Sequence, residues 1–203
     1  MICLTFDDGP NVDNTPRVLD TLKQYDVKAT FIVTYKEGQE ADSLYKRIVE
    51  EGHTIAVHTA SHNYNVIYSS IDAYLEDFQK VSSKIESVTG VKPGIFRFPG
   101  GSINSYNIEL YQELIAEMLR RGYVYYDWHV SSGDASVRSP SAEKITNNVL
   151  NGAKSKEAIV LMHDGPGHSA TADALPGIIE GLKSKGYRFA ALDNSVTPSC
   201  FGY

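Results

Sequence analysis

Short, continuous apolar runs alternate along this chain with longer stretches in which apolar side chains return every third or fourth position. The run ending Leu4-Thr5-Phe6 predicts a buried strand that stops at Asp7-Asp8-Gly9-Pro10. Thr15-Pro16 predicts a helix start, with Thr15 as N-cap and Pro16 at the first helical position, and Val18, Leu19, Leu22 and Tyr25 on one face. Residues 29–34 are apolar and β-branched and predict a second strand. A helix over 41–51 turns Leu44, Ile48 and Val49 inward and stops at Gly52, and a third strand over 54–57 ends at His58. The longest helical pattern covers 71–88, with Ile71, Tyr74, Leu75, Phe78, Val81, Ile85 and Val88 as its stripe and Gly90 as its stop. A fourth strand over 95–98 meets Pro99-Gly100-Gly101, and Ser105 caps a predicted helix that Gly122 ends. A fifth strand over 123–130, a helix over 141–153, a sixth strand over 158–162, a helix over 171–185 and a seventh strand over 187–192 complete the chain.

This alternation, without a linker or low-complexity run, predicts one α/β domain over residues 1–203, built on a parallel sheet with crossover helices. An open, doubly wound sheet and a closed barrel both satisfy the pattern. In a barrel the chemistry gathers at the carboxyl ends of the strands. Asp7, Asp8, His58, Arg97, Asp134 and His163-Asp164 all follow predicted strands, which favours the barrel-like arrangement.

Composition narrows the class of function. A chain of 203 residues with 42% hydrophobic and 22% charged residues can bury a core of its own. A net charge of −6 and the lack of any Lys/Arg cluster argue against nucleic acid as a partner. No apolar run approaches the roughly 18 residues that span a membrane. Met1 leads directly into a strand with no signal peptide, so the expectation is a catalytic domain whose export or anchoring segment lies elsewhere. Cys3 and Cys200 are too few for a disulfide framework, and they pair only if the last segment packs beside the first strand. The thirteen Tyr suit a sugar-binding groove, but core and rim positions account for them better.

Two adjacent carboxylates at a strand end repel one another, and a cation is one way to offset that cost. Taken alone, Asp7-Asp8-Gly9 is better explained as a turn facing water. His58-Thr59-Ala60-Ser61-His62 places two imidazoles four positions apart, which on a helical turn would face the same way. Alone this pair is weak, and it lacks the glutamate of the zinc-protease helix. With one carboxylate it makes a set of three ligands that leaves a position open for water.

Thr5-Phe6-Asp7-Asp8-Gly9-Pro10, His58-Thr59 with His62, Arg97 with Pro99 and Gly101, and Leu161 with His163 occur in the order and rough spacing of the polysaccharide deacetylases. This resemblance to carbohydrate esterase family four, the NodB-homology domain, covers nearly the whole chain. It implies a distorted (β/α) barrel with about seven strands, a single divalent metal and hydrolysis of N-acetyl groups on a hexosamine polymer. Residue by residue, it implies Asp8, His58 and His62 as metal ligands, with zinc first and cobalt or another divalent ion second. Asp7 resembles the general base, Arg97 the arginine that orients it, His163 the general acid, and Gly100 the backbone donor to the oxyanion. Pro99, Gly101, Trp128 and Leu161 fall on the substrate groove.

The carboxylate that orients the acid histidine has two candidates. Aligning Trp128 with the family's strand tryptophan puts Asp134 in that role and Ala135 where a wall tryptophan stands. The literal Asp-Trp pair, Asp127-Trp128, lies earlier, inside the strand. Asp134 is favoured, because a loop reaches the mouth more easily than a mid-strand residue. His53, His129, His168, Asp164 and Tyr64 have no part in the implied mechanism. The reading is therefore a monomeric, extracellular or cell-envelope N-deacetylase, with peptidoglycan N-acetylglucosamine ahead of chitin-type oligomers. An acetylxylan esterase and a non-catalytic sugar-binding module are the alternatives.

Overall fold

The computed structural model describes residues 1–136, 140–193 and 195–201. Strand β1 (Ile2–Asp7) leads to helix α1 (Thr15–Gln24), β2 (Thr30–Val33), α2 (Gln39–Glu50) and β3 (Thr54–Val57). After a single turn, α3 (Tyr64–Ile67), come the long α4 (Ile71–Thr89), β4 (Ile95–Phe96) and α5 (Tyr111–Arg120). Strands β5 (Val124–Tyr125) and β6 (Val130–Ser131), helix α6 (Ala142–Gly152), strand β7 (Ala158–His163) and helix α7 (Ser169–Ser184) follow.

Among the described residues the seven strands form one parallel sheet in the order β5-β4-β3-β2-β1-β7-β6. The two edge strands are the two ends of a single stretch of chain. Tyr125 pairs with Phe96 on one side of the gap, and five residues later Val130 pairs with Val160 on the other. This stretch therefore draws the two edges together into a distorted, incompletely paired barrel. The fifth strand expected over 123–130 is thus two short pairings on opposite neighbours, because no single straight strand can reach both.

Alternation along the strands separates two cores. Ile2, Leu4, Phe6, Phe31, Val33, Val57, Phe96, Val160 and Met162 face outward and pack beneath the helices. Val18, Leu19 and Leu22 of α1 meet this layer and are fully buried, each contributing about 1.5–3 kcal/mol of transfer free energy. Inside the barrel a smaller cluster of Cys3, Ile32, Ala56, Ile95, Tyr126, Ile159 and Leu192 fills the floor.

Three local expectations fail, each for a stated reason. The strand expected over 187–192 is reduced to one bridge, Ile2 to Phe189, because the chain turns under the barrel. There Leu192 donates its N–H to Thr30 Oγ1 and accepts from Thr54 Oγ1, closing the floor instead of extending the sheet. Ser105 caps no helix, since α5 begins at Tyr111 and the residues before it wrap around Asn104 and Asn107. Asn14, not Thr15, occupies the N-cap of α1, and the Thr15 hydroxyl is committed to Asp164 Oδ2 at 2.5 Å. The long helix α4 starts and stops as the sequence suggests: the Ser70 side chain accepts from Ala73 N–H, and Gly90 ends it at φ 73°.

Candidate active site

The carboxyl ends of β1, β3, β4 and β7 bring Asp7, Asp8, His58, Arg97 and His163 to one mouth. Adjacent residues on a strand point to opposite faces, so Asp7 and Asp8 would ordinarily part company. Asp8 has φ 73°, which ends the strand and breaks that alternation. The turn is held by Thr34 N–H on Gly9 O, and Gly165 lies close enough to Asp8 that a Cβ there would stand 2.8 Å from the Asp8 Cβ. Gly9 follows at a cis bond to Pro10.

Asp7 is committed to a cation of the chain itself. Its Oδ1 accepts from Arg97 Nη1 at 2.8 Å, and the arginine is fully buried. The guanidinium is satisfied on every side: Nε donates to Tyr126 O, Nη1 also to Thr5 Oγ1, and Nη2 to Asp127 O. The Thr5 hydroxyl donates to Val160 O, so a hydroxyl inside the barrel links β1, β7 and the arginine. The Trp128 ring lies 5.6 Å from Arg97 Cζ, with Phe201 edge-on against it at 4.8 Å. Trp128 is therefore packed on the arginine from within the barrel.

Asp8 is placed differently. Its Oδ1 lies 3.4 Å from Nε2 of both His58 and His62, is shielded from solvent and has no hydrogen-bond partner. One ligand atom from each of these three residues falls within 4.8 Å of the others. His58 Nδ1 meets Arg97 O at 2.9 Å, and a carbonyl can only accept, so Nδ1 carries the proton and Nε2 is left as a donor of electrons. Burial lowers the His62 pKa, with the neighbouring His58 acting in the same direction, which favours the neutral imidazole. For Asp8 burial acts upward, but the surrounding histidines outweigh it and hold the carboxyl below its ordinary value. An orphaned buried carboxylate oxygen facing the Nε2 atoms of two imidazoles fits a divalent cation.

No helical turn brings His62 round to His58. Residues 58–63 are irregular, and His62 itself sits at φ 50°. The loop is held instead by Asp77 on α4, whose Oδ1 accepts from Thr59 Oγ1 at 2.6 Å and Ala60 N–H at 2.7 Å while Oδ2 accepts from Ser61 N–H at 2.9 Å. Thr59 Oγ1 in turn accepts from His62 N–H. Asp77 passed unnoticed in the sequence. Its only signal there is an acid one position before Phe78 of the apolar stripe of a long helix; in the fold it is buried, at 8% exposure.

Across the mouth, His163 Nδ1 is 2.8 Å from Asp134 Oδ1. Asp134 Oδ2 also accepts from His163 N–H and Thr171 Oγ1, so the carboxylate is fixed from three directions. Burial pushes the imidazole down, but the Asp134 hydrogen bond and charge, helped by Asp7 and Asp8, hold His163 up at about 9. Its ring stacks on His168 at 5.1 Å and 25°. Leu161, two residues earlier on β7, shares its side of the strand.

Asp127 does not touch His163. Its side chain accepts from Ser102 N–H and Oγ and from Phe201 N–H, and so ties the turn after β4 to the end of the chain. That turn is Pro99-Gly100-Gly101, with both glycines at positive φ, 77° and 88°. Tyr68 Oη donates to Pro99 O, and Asn104 Nδ2 donates to Pro99 O and Gly101 O. A Cβ on Gly101 would stand 2.6 Å from the Phe201 ring, so glycine is required there by packing as well as by φ. Cys3, buried, and Cys200, exposed, are both free thiols: the last segment passes Cys3 at residues 196–198, but Ser199 O accepts from Asp127 N–H and carries Cys200 away from β1.

Asp164 is buried with Oδ1 unpartnered, and burial, opposed by the Thr15 hydrogen bond and reinforced by Asp8 and Asp7, raises its pKa to about 7. Gly9 leaves room for that carboxyl, since any Cβ at residue 9 would overlap it.

Comparison with known proteins agrees with this arrangement. The polysaccharide deacetylase family profile matches residues 1–119. A peptidoglycan-N-acetylglucosamine deacetylase of Bacillus cereus is 36% identical over 193 residues, covering 94% of this chain and 66% of its own length. A bifunctional xylanase/deacetylase of Pseudobutyrivibrio xylanivorans is 35% identical over 193 residues, covering 95% of this chain but 30% of its own length. The chain thus spans about two thirds of one relative and under a third of the other. The crystal structure of the catalytic domain of a peptidoglycan N-acetylglucosamine deacetylase from Eubacterium rectale superposes with a TM-score of 0.92 at 38% identity, over 99% of this chain and 92% of that one. On its motifs, its curled parallel barrel and these matches, the chain belongs to the polysaccharide deacetylase family.

Proposed function

We propose that this chain hydrolyses N-acetyl groups on the N-acetylglucosamine residues of peptidoglycan, with chitin-type oligomers as the second substrate. The observation that carries the reading is the division between two neighbouring acids. Asp7 is locked to Arg97, while Asp8 is left without a partner opposite His58 and His62. A divalent ion held by Asp8, His58 and His62, zinc before cobalt, would polarise the acetyl carbonyl and lower the pKa of an attacking water.

The chain supplies the rest. Asp7, oriented by Arg97, accepts the proton that the water loses as its oxygen bonds to the amide carbon. The Gly100 N–H serves as donor to the oxygen that gains charge. His163, protonated at neutral pH, gives its Nε2 proton to the departing nitrogen, while Asp134 holds Nδ1 and steadies the imidazolium. The C–N bond breaks to leave acetate and a free amine, and no covalent intermediate with the chain is needed. Because the substrate is a wall polymer, we place the activity outside the cell, at the envelope, and we take the working unit to be the monomer.

The test is acetate release from peptidoglycan, defined N-acetylglucosamine oligomers and acetylated xylan, before chelation, after it, and after adding back zinc or cobalt. Release from aminosugars that chelation abolishes and metal restores is the expected result. Release from acetylxylan alone would move the reading to an O-acetyl esterase, which the resemblance to a xylanase/deacetylase makes the natural second choice. Sugar binding without any release would leave only a binding module.

A further inference from the structure

A ridge of aromatic rings leaves the mouth beside His62. The Tyr64 ring lies 5.2 Å from that of His62, and the Tyr106 ring meets Tyr64 edge-on at 5.0 Å and 71°. Tyr64 is half-buried and reaches the site directly, since a Cβ on Gly100 would stand 3.4 Å from its hydroxyl. Tyr106 is 49% exposed.

A lone exposed tyrosine is ordinary. This one is built in. Asn104 Oδ1 accepts from Tyr106 N–H at 2.9 Å while Asn104 Nδ2 holds Pro99 O and Gly101 O, so Tyr106 is tied to the turn that carries Gly100. Tyr64 rests on Tyr68 at 6.1 Å, and Tyr68 stacks on Tyr74 at 5.9 Å and 14° while its hydroxyl holds Pro99 O. Rings fixed before a ligand arrives lose little freedom on binding. Beside Asp134 the exposed Ala135 offers only a methyl group, and Trp128 is half-buried, with Phe201 edge-on against it and Arg97 beside its ring. Among the described residues, the more exposed aromatic surface at the mouth therefore lies on the His62 side.

We propose that Tyr106, set one ring further from His62 than Tyr64, is a carbohydrate subsite for a hexopyranose beyond the immediate neighbour of the residue being deacetylated. The inference rests on the aminosugar-polymer reading above. The C–H face of a β-linked sugar packs on the Tyr106 ring, and the Tyr64 hydroxyl, beside Gly100, meets the polar edge of the polymer.

The test is calorimetric binding of the N-acetylglucosamine dimer and tetramer and of xylotetraose to the metal-loaded protein, with acetate followed in the same samples. The tetramer is expected to bind about tenfold more tightly than the dimer, and Tyr106→Ala to remove that gain while Tyr106→Phe keeps it. A loss equal on dimer and tetramer, no loss, or no length dependence in the unaltered protein overturns the subsite. Tetramer binding that depends on Tyr106 without acetate release upholds the subsite and removes the deacetylase reading. Xylotetraose bound as tightly through Tyr106 overturns the assignment to an aminosugar.

Discussion

Asp7 Oδ1 lies 2.8 Å from Arg97 Nη1 inside the barrel, with the carboxylate 3% and the arginine 0% exposed. A pair this enclosed is worth little as a net source of stability, but it is costly to break on one side. It engages Asp7 Oδ1, while Asp8, and not Asp7, is grouped with His58 and His62. Asp7→Asn is therefore expected to retain metal, measured as about one ion per chain, while acetate release falls about 10²–10⁴-fold. The arginine keeps Thr5, Tyr126 and Asp127 as acceptors, so this variant folds. Arg97→Met is the harsher change: it leaves a buried carboxylate unpaired and should cost about 3–5 kcal/mol in denaturant unfolding. Loss of the metal in Asp7→Asn would show that base and ligand had been assigned the wrong way round.

His163 and Asp134 make a pH prediction with a definite sign. His163 stands at about 9 in the folded chain against a reference of 6.5, so the folded state holds its proton more tightly. The stability this contributes is complete below the unfolded value of 6.5 and is lost as pH rises through about 9. The proton donor disappears over the same upper range, so turnover falls on the alkaline side. Asp134→Asn removes the charge that opposes burial, and burial then lowers the imidazole. The alkaline limb of kcat should move toward neutrality in that variant. A limb that stays in place would mean that His163 is not the group being read.

Asp77 never meets the metal site, yet it holds the loop between the two imidazoles by the backbone of Ala60 and Ser61 and the hydroxyl of Thr59. His62 sits at φ 50°, a conformation a histidine adopts only when its surroundings impose it. Asp77→Ala should weaken metal binding about 10–100-fold, measured by competition with a chromophoric chelator. Thr59→Val, which keeps the two backbone hydrogen bonds, should weaken it less. Equal affinity in all three proteins would show that the loop holds its shape without α4.

The sheet and its helices were legible from local signals, chiefly period and glycine stops, whereas the set Asp8, His58 and His62 was legible only through the resemblance of its motifs to the polysaccharide deacetylases. What stayed hidden depends on long-range closure. Nothing in the run 123–130 announces that Tyr125 pairs with Phe96 while Val130 pairs with Val160, since both halves carry the same strand pattern. The apolar run 187–192 reads as a strand, but it pairs only at Ile2, and the backbone groups of Leu192 are taken by Thr30 and Thr54 at the barrel floor. Four-residue spacing suggests a helical turn between His58 and His62, but that loop is irregular and is held by Asp77 on another element. Tyr64 looked idle because only the folded chain sets its hydroxyl beside Gly100.

Asp127 and Ser102 offer a separate test of the turn that carries Gly100. Asp127 Oδ1 accepts from Ser102 N–H at 2.9 Å, whereas Oδ2 accepts from Ser102 Oγ at 2.5 Å and Phe201 N–H at 2.7 Å. In Asp127→Asn the amide oxygen can keep the Ser102 N–H, and a rotated Ser102 hydroxyl can accept from the new NH₂, but that NH₂ then faces the Phe201 N–H donor to donor. The turn should hold and the end of the chain should loosen, visible as faster trimming by a carboxypeptidase with kcat little changed. Asp127→Ala removes both attachments. With the turn free to shift by as much as about 1 Å, kcat should fall about 10–100-fold. The loss should be mirrored by weaker binding of a tetrahedral phosphonate analogue and not by a higher KM, because the Gly100 N–H is needed most where negative charge develops. A rise in KM alone in Asp127→Ala would assign Asp127 to the sugar groove and not to the oxyanion turn.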